Sequence, residues 1–166
     1  MVAAIAGQIT AIDAAVAQLD EQIQTRFEQH RDASILVSLP GFGVTLAATF
    51  LASTGGDITA FETVDRLASV AGLAPAPRDS GRISGNNHRP RRFNRRLMRT
   101  CYLAALSSLK SSPASRAFYD RKRAEGKNHK QALIALARRR INTIWAMLRD
   151  HTTYQEPQRP ELSQAA

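Results

Sequence analysis

The sequence predicts a mainly all-α protein, in which an N-terminal coiled-coil helix precedes a compact helical domain with a helix-hairpin-helix-like motif and a basic loop. Two observations indicate this class. Aromatic residues are only 6% of a chain that is 43% apolar, so Ala, Leu, Ile and Val fill the core, a composition that favours helices over sheets. Apolar residues also recur at helical spacing, without a clear strand pattern. A length of 166 residues fits one such domain plus a helical arm.

Residues 1–32 are predicted to form the coiled-coil helix, helical over 3–31. Apolar side chains recur every three or four residues there: Ile5, Ile9, Ile12, Val16, Leu19, Ile23 and Phe27. This near-heptad spacing requires a partner helix in the same or another chain, and we expect a homo-oligomer formed through it. The alternative is an amphipathic helix that lies on its own domain.

Residues 34–54 match a helix-hairpin-helix, because a short apolar helix runs into Leu-Pro-Gly-Phe-Gly at 39–43 before a second helix begins. Gly41 and Gly43 allow a tight turn and leave backbone N–H groups at a helix start, where a phosphate can bind. The alternative is a helix–helix turn without a ligand, since the chain has no Lys or Arg between residues 32 and 66.

The remaining elements of the domain, which spans 33–150, follow from glycine and proline positions. Gly55 and Gly56 end the second helix, and the prolines of 73–77 impose an extended segment after a helix at 61–72. Three more helices are predicted at 93–108, 115–125 and 129–150, with Pro113 breaking the chain and Asn128 as the last N-cap. Residues 151–166 are polar and are predicted to be a disordered tail.

Cys101 is the sole cysteine, which excludes a disulfide framework and a cysteine-based zinc site within one chain. The four histidines stand apart without ligand spacing, so we predict no metal site. We recognise no stretch of about 18 apolar residues and no basic segment of a signal peptide. We therefore expect no membrane partner and a cytoplasmic location.

Charge divides the chain in two. Residues 1–77 hold 3 basic and 8 acidic side chains, whereas residues 78–166 hold 20 and 6. Arginine predominates, and its guanidinium binds phosphate bidentately. The second half is therefore predicted to bind a polyanion, although GC-rich codon usage also favours arginine.

The basic loop at 78–92 and the helix start after it carry the candidate nucleic-acid contacts. Five arginines occur in the loop among Gly, Asn, Ser and Pro, and positive side chains at the start of a helix oppose its dipole unless an anion docks there. The alternative is a solvated connector. The candidate DNA- or RNA-binding residues are Arg78, Arg82, Arg89, Arg91, Arg92, Arg95 and Arg96, together with Gly41 and Gly43.

Ser80 is the candidate nucleophile, within Arg-Asp-Ser-Gly. A serine hydroxyl can attack a phosphodiester when a base removes its proton and positive groups stabilise the phosphorane, a role open to Arg78 and Arg82. Ser84 is a rival, and His88 is a candidate proton acceptor. The alternative is a serine that only stabilises a turn.

Several signatures occur in order along the chain. They are Leu39-Pro40-Gly41-Phe42-Gly43, Gly56-Asp57-Ile58 with Phe61, Leu67 to Pro75, Arg78-Asp79-Ser80-Gly81, Asn94-Arg95-Arg96-Leu97, Ala117 to Arg123, Gly126-Lys127, and Ala137-Arg138-Arg139-Arg140 with Trp145. Together they resemble the C-terminal half of the proteins in one family of bacterial insertion-sequence transposases, the family numbered one hundred and ten.

The resemblance implies RNA-guided DNA recombination, with DNA and a structured guide RNA as partners at the bacterial nucleoid. It places the nucleophilic serine at Ser80, which would form a phosphoserine–DNA intermediate. Family members also carry an RNase H-like half with four acidic metal ligands, so we expect Mg²⁺ only with that half and no cofactor in this chain. We therefore expect this chain alone to bind nucleic acid without transposing. The alternatives are a non-catalytic nucleic-acid-binding module and a coiled-coil interaction protein.

Overall fold

The computed structural model describes residues 1–77, 81, 87–88 and 90–157, and its architecture confirms the all-α class. The helices are α1 (Val2–Glu28), α2 (Ala33–Ser38), α3 (Val44–Thr54), a 3-10 turn (Ile58–Phe61), α4 (Val64–Val70), α5 (Arg95–Ser111), α6 (Pro113–Ala124) and α7 (His129–Arg149). Within the described ranges, the paired strands are β1 (Ala76–Pro77) and β2 (Asn87–His88), two residues each.

The core is formed around α5, which packs against α3, α6 and α7, while α4 also contacts α7. Each buried aliphatic side chain contributes about 1.5–3 kcal/mol to folding through its removal from water. The fully buried large side chains of this core are Leu36, Leu39, Phe50, Leu67, Leu97, Leu133, Leu136, Ile141 and Ile144. The described helices thus share one apolar core, which also includes Phe27 at the end of α1.

Helix α1 extends away from that core. Phe27, at its C-terminal end, is its one buried residue, and this end meets α2 and α3. The rest of the predicted stripe is exposed, with exposed fractions from 39% at Ile23 to 62% at Ile12. The domain therefore does not cover this face within the described residues. Helix α1 is also long and apolar enough to cross a membrane, judged by length and composition alone, contrary to the expectation that no such stretch exists.

Arg140 of α7 joins three parts of the fold. Its side chain is buried, its Nη2 donates to the carbonyl oxygen of Pro40, and its Nη1 donates to Ser115 Oγ at 3.3 Å. Burial lowers the pKa of Arg140 to about 10, so the group stays charged at neutral pH. The turn after α2 is thereby tied to α6 and α7.

Helix α6 begins at Pro113, where the sequence predicts a break. Ser112 is its N-cap, and Ser112 Oγ accepts a hydrogen bond from Ser115 N at 3.1 Å. Proline suits the first helical position because that N–H has no helical partner and its φ is already helical. Asn128 caps α7 as predicted, in a reciprocal capping box with Gln131.

Residues 151–157, assigned by sequence to a disordered tail, make specific contacts, while residues 158–166 lie outside the described range. Tyr154 N donates to Ser38 Oγ at 2.9 Å. Glu156 Oε1 accepts from Ser112 Oγ at 2.8 Å and from Ala114 N at 3.0 Å. Burial raises the pKa of Glu156, but these hydrogen bonds outweigh it and hold the pKa below its usual value. Glu156 therefore binds the start of α6 in its ionised, carboxylate form.

Candidate nucleic-acid interface

The residues just before the predicted basic loop are paired with two residues inside it. Strand β1 pairs antiparallel with β2, so that Ala76 lies opposite His88 and Pro77 opposite Asn87. The chain between them carries the candidate nucleophile. Ser80, its rival Ser84 and the candidate contacts Arg78, Arg82 and Arg89 lie outside the described residues. The structure thus fixes where this segment leaves and rejoins the domain.

A second contact anchors the end of α4 to the start of α5. Gly72 has a φ of +67°, and a Cβ there would lie 2.6 Å from Cγ of Phe93. The ring of Phe93 therefore packs where a side chain would otherwise stand. Asn94 N also donates to the carbonyl oxygen of Val70 at 2.7 Å. The end of α4 and the residues just before α5 are thereby held together and form one corner of the domain.

The arginines at this corner are exposed. Arg91 and Arg92 precede α5, Arg95 and Arg96 occupy its first turn, and Asn94 caps it by accepting from Leu97 N at 3.0 Å. None of the four forms an ion pair with a carboxylate among the residues that the structure describes. Their charge adds to the positive end of the helix dipole. This corner therefore suits a polyanion such as a nucleic-acid backbone.

The two candidate glycines have different surroundings. Gly41 has a φ of +83°, and a Cβ there would lie 2.4 Å from the carbonyl oxygen of Ala104 and 2.7 Å from Ser108 N. Its open side thus faces the backbone of α5. Gly43 is exposed at the N-cap of α3, with nothing within 4 Å of an added Cβ. Packing accounts for Gly41 without a ligand, whereas Gly43 stands at an open helix start, and its phosphate contact stays a prediction.

The described part of the chain offers neither a cluster of metal ligands nor a reactive cysteine. No group of three His, Cys, Asp or Glu lies close enough there to hold a metal ion. Burial raises the pKa of Cys101 to about 12, so its thiol stays protonated and is a poor nucleophile.

Sequence reasoning missed a cluster of cations around Phe118 on α6. The centroid of its ring lies 5.2 Å from Cζ of Arg121, 5.6 Å from Nζ of Lys122 and 4.9 Å from Cζ of Arg139. Helical spacing from Phe118 could have identified Arg121 and Lys122 as neighbours. Arg139 reaches the ring from α7, which only the tertiary fold reveals.

Comparison with known proteins gives consistent matches. A family model described as Transposase IS116/IS110/IS902 family matches residues 33–120. The insertion element IS900 42 kDa protein of Mycobacterium paratuberculosis is 60% identical over 93% of this chain and 39% of its own length. The insertion element IS116 44.8 kDa protein of Streptomyces clavuligerus is 46% identical over 90% and 37%. The pilin gene-inverting protein of Moraxella bovis is 31% identical over 84% and 45%. The chain thus spans about two fifths of the length of these relatives.

Proposed function

The chain belongs to the IS116/IS110/IS902 transposase family, and we propose that it is the DNA-binding, serine-bearing part of a transposase or site-specific recombinase. The observation that carries this proposal is the set of four exposed arginines without acidic partners, within the described residues, at the start of α5, which follows the Ser80 segment in the sequence. A relative named as a pilin gene-inverting protein supports rearrangement of DNA as the reaction class. We place this activity at the bacterial nucleoid.

Ser80 is proposed as the group that attacks DNA. Its Oγ would bond to the phosphorus of a backbone phosphodiester as a base takes its proton, while the displaced sugar hydroxyl leaves with a proton. Arg78 and Arg82 would stabilise the charge that builds on the phosphoryl oxygens. Mg²⁺ would be bound by the RNase H-like half that family members carry, so no step is assigned to a metal in this chain. A structured guide RNA is proposed as a second nucleic-acid partner.

DNA binding by this chain is expected to weaken steeply with salt. Each phosphate that a cation neutralises releases condensed counterions, so the slope of log affinity against log salt concentration is about −0.9 per phosphate. Replacing Arg91, Arg92, Arg95 and Arg96 together by Ala should flatten that slope by about 0.9 for each phosphate that these side chains neutralise in the parent. Fluorescence anisotropy with a labelled duplex, repeated across salt concentrations, measures both quantities.

The matched control removes arginines from the acidic half, as Arg26→Ala with Arg66→Ala, both on exposed helix surfaces. This pair should leave the slope unchanged. A quadruple variant at the α5 corner that keeps the parental slope would place the DNA elsewhere on the chain and would refute the proposed interface.

Helix α1 is proposed to pair with a second copy of itself. Its exposed stripe follows a heptad, with Ile9, Val16 and Ile23 at one core position and Ile5, Ile12 and Leu19 at the other. Such a stripe is buried when two helices supercoil about each other. Asp13 and the acidic residues at 20, 21 and 28 lie off this stripe, which suits a solvated outer face.

Placing charge on that stripe is expected to dissociate the oligomer. Ile12→Asp with Leu19→Asp would bury carboxylates in the seam, whereas Ala11→Asp with Gln18→Asp adds the same charge beside it. Sedimentation equilibrium should give monomers for the first pair and the parental oligomer for the second. A parental chain that is monomeric in buffer but sediments with lipid vesicles would instead assign α1 to a membrane.

A further inference from the structure

The turn between α6 and α7 is a second basic surface, separate in sequence from the arginines of α5. Every residue from 123 to 131 is exposed. Between residues 113 and 130 the chain carries six Lys or Arg and two acidic residues. Asp120 is bound by Arg116 at 2.9 Å, and Glu125 by Lys122 at 2.7 Å. The acidic groups are thus already engaged, which leaves net positive charge on the turn.

The cations around Phe118 concentrate part of that charge. Arg121, Lys122 and Arg139 all lie within 6 Å of the centroid of one ring, and Arg121 and Arg139 are exposed. Neither of these two arginines has a carboxylate within ion-pair distance among the described residues. Attraction to the ring offsets some of the repulsion between like charges, and an anion docked beside them would remove more of it.

Aromatic side chains stand beside these cations. Tyr119 follows Phe118 on α6, and its hydroxyl lies 2.7 Å from Nδ1 of His129 at the start of α7. The two rings meet at 74°, with centroids 5.7 Å apart. His129 is exposed and Tyr119 is half-buried, so aromatic surface borders solvent next to a source of positive charge.

We infer that the α6–α7 surface, formed by Phe118, Tyr119, Arg121, Lys122, His129 and Arg139, binds single-stranded nucleic acid. This inference rests on the proposed nucleic-acid role of the chain, because both require a polyanionic partner. The cations would contact the backbone phosphates, and the Tyr119–His129 pair would provide a surface on which a base stacks. Cations beside aromatic rings are the combination that proteins use to bind single strands.

The aromatic component favours a single strand over a duplex. A base presents its face to a protein ring only when it is unpaired and unstacked from its neighbours. The α5 corner, in contrast, offers four arginines around a helix start, which suits backbone phosphates of any duplex. The two surfaces should therefore differ in the form of nucleic acid that they prefer.

Separate probes distinguish the two surfaces in the full 166-residue chain. One is a labelled oligodeoxythymidylate of about 12 nucleotides, and the other is a labelled duplex of the same length. Arg121→Ala with Arg139→Ala should weaken binding of the single strand about tenfold while changing duplex binding less than about twofold. Arg149→Ala, which removes an exposed α7 arginine paired with Asp150, is the matched control and should change neither.

The stacking component is tested by removing rings while keeping charge. His129→Ala with Tyr119→Ala should also weaken single-strand binding about fivefold or more. Thermal unfolding of each variant identifies any loss of folding, and the exposed single variant His129→Ala provides the readout if the double variant is unstable.

The outcomes separate this inference from the proposed function. Weaker duplex binding in the α5 variant together with weaker single-strand binding in the α6–α7 variants supports both. Unchanged single-strand binding in the α6–α7 variants overturns the inference, even when duplex binding still depends on α5. Equal losses of affinity for both probes also overturn it, because the surface would then be a general electrostatic contact. If the parental chain binds neither probe, both proposals fail.

Discussion

Replacing Ser80 by Ala is expected to abolish covalent capture of DNA when the chain is mixed with the RNase H-like part of a family member. Only the Oγ of the serine can form the phosphoserine ester, so the loss should be at least about a thousandfold. The measurement is denaturing electrophoresis of labelled DNA, in which the adduct migrates with the protein. DNA affinity should be almost unchanged, because the hydroxyl contributes no charge.

Ser84→Ala is the matched control, since it removes the same group from the same loop. It should leave the adduct intact. Arg78→Ala or Arg82→Ala should slow adduct formation about a hundredfold if either side chain stabilises the phosphoryl oxygens. An adduct that survives in Ser80→Ala but disappears in Ser84→Ala would transfer the nucleophile to the rival serine. An adduct that survives both changes would rule out a nucleophile at either position.

The helices were predictable because local sequence determines them. Apolar residues at helical spacing, the stop at Gly55 and the cap at Asn128 act within one or two turns. The difference at Pro113 has the same local origin: proline interrupts a helix interior but favours its first position. The exposed stripe of α1 likewise follows from its spacing, although spacing alone does not show which partner covers it.

The contacts between distant segments could not be predicted. Arg140 appears in the sequence as one of three consecutive arginines, yet it alone is buried, where it binds the carbonyl oxygen of Pro40. Arg139, its neighbour, lies beside Phe118, and Arg138 pairs with Asp65 of α4 at 2.6 Å. Helix geometry points successive side chains about 100° apart, so three identical residues serve three roles that depend on what α7 packs against.

The same limit separates the two candidate glycines. Both occur in Leu-Pro-Gly-Phe-Gly, and the sequence assigns both to one phosphate-binding turn. In the structure Gly41 contacts α5, which is more than 60 residues later in the chain, whereas Gly43 caps α3 at the surface. Gly41 thus meets the backbone of a distant helix, whereas Gly43 stands at an exposed helix start. The sequence shows the same residue type in both cases and does not distinguish them.

Gly41→Ala is expected to destabilise the domain severely. Its φ of +83° is strained for alanine, and the new Cβ would lie 2.4 Å from the carbonyl oxygen of Ala104, a backbone atom that cannot move without shifting α5. Strain and overpacking together predict a loss of about 3 kcal/mol or more. Thermal unfolding followed by circular dichroism should show a midpoint lower by about 10 °C or more.

Gly43→Ala provides the comparison, because its backbone has a φ of −77° and an added Cβ would meet nothing within 4 Å. Alanine is a poorer N-cap than glycine, which costs about 1 kcal/mol or less. If α3 also binds a phosphate, Gly43→Ala should weaken DNA binding more than it lowers stability. Equal unfolding midpoints for the two variants would contradict this account of Gly41, since its positive φ and its packing against α5 are what distinguish it from Gly43.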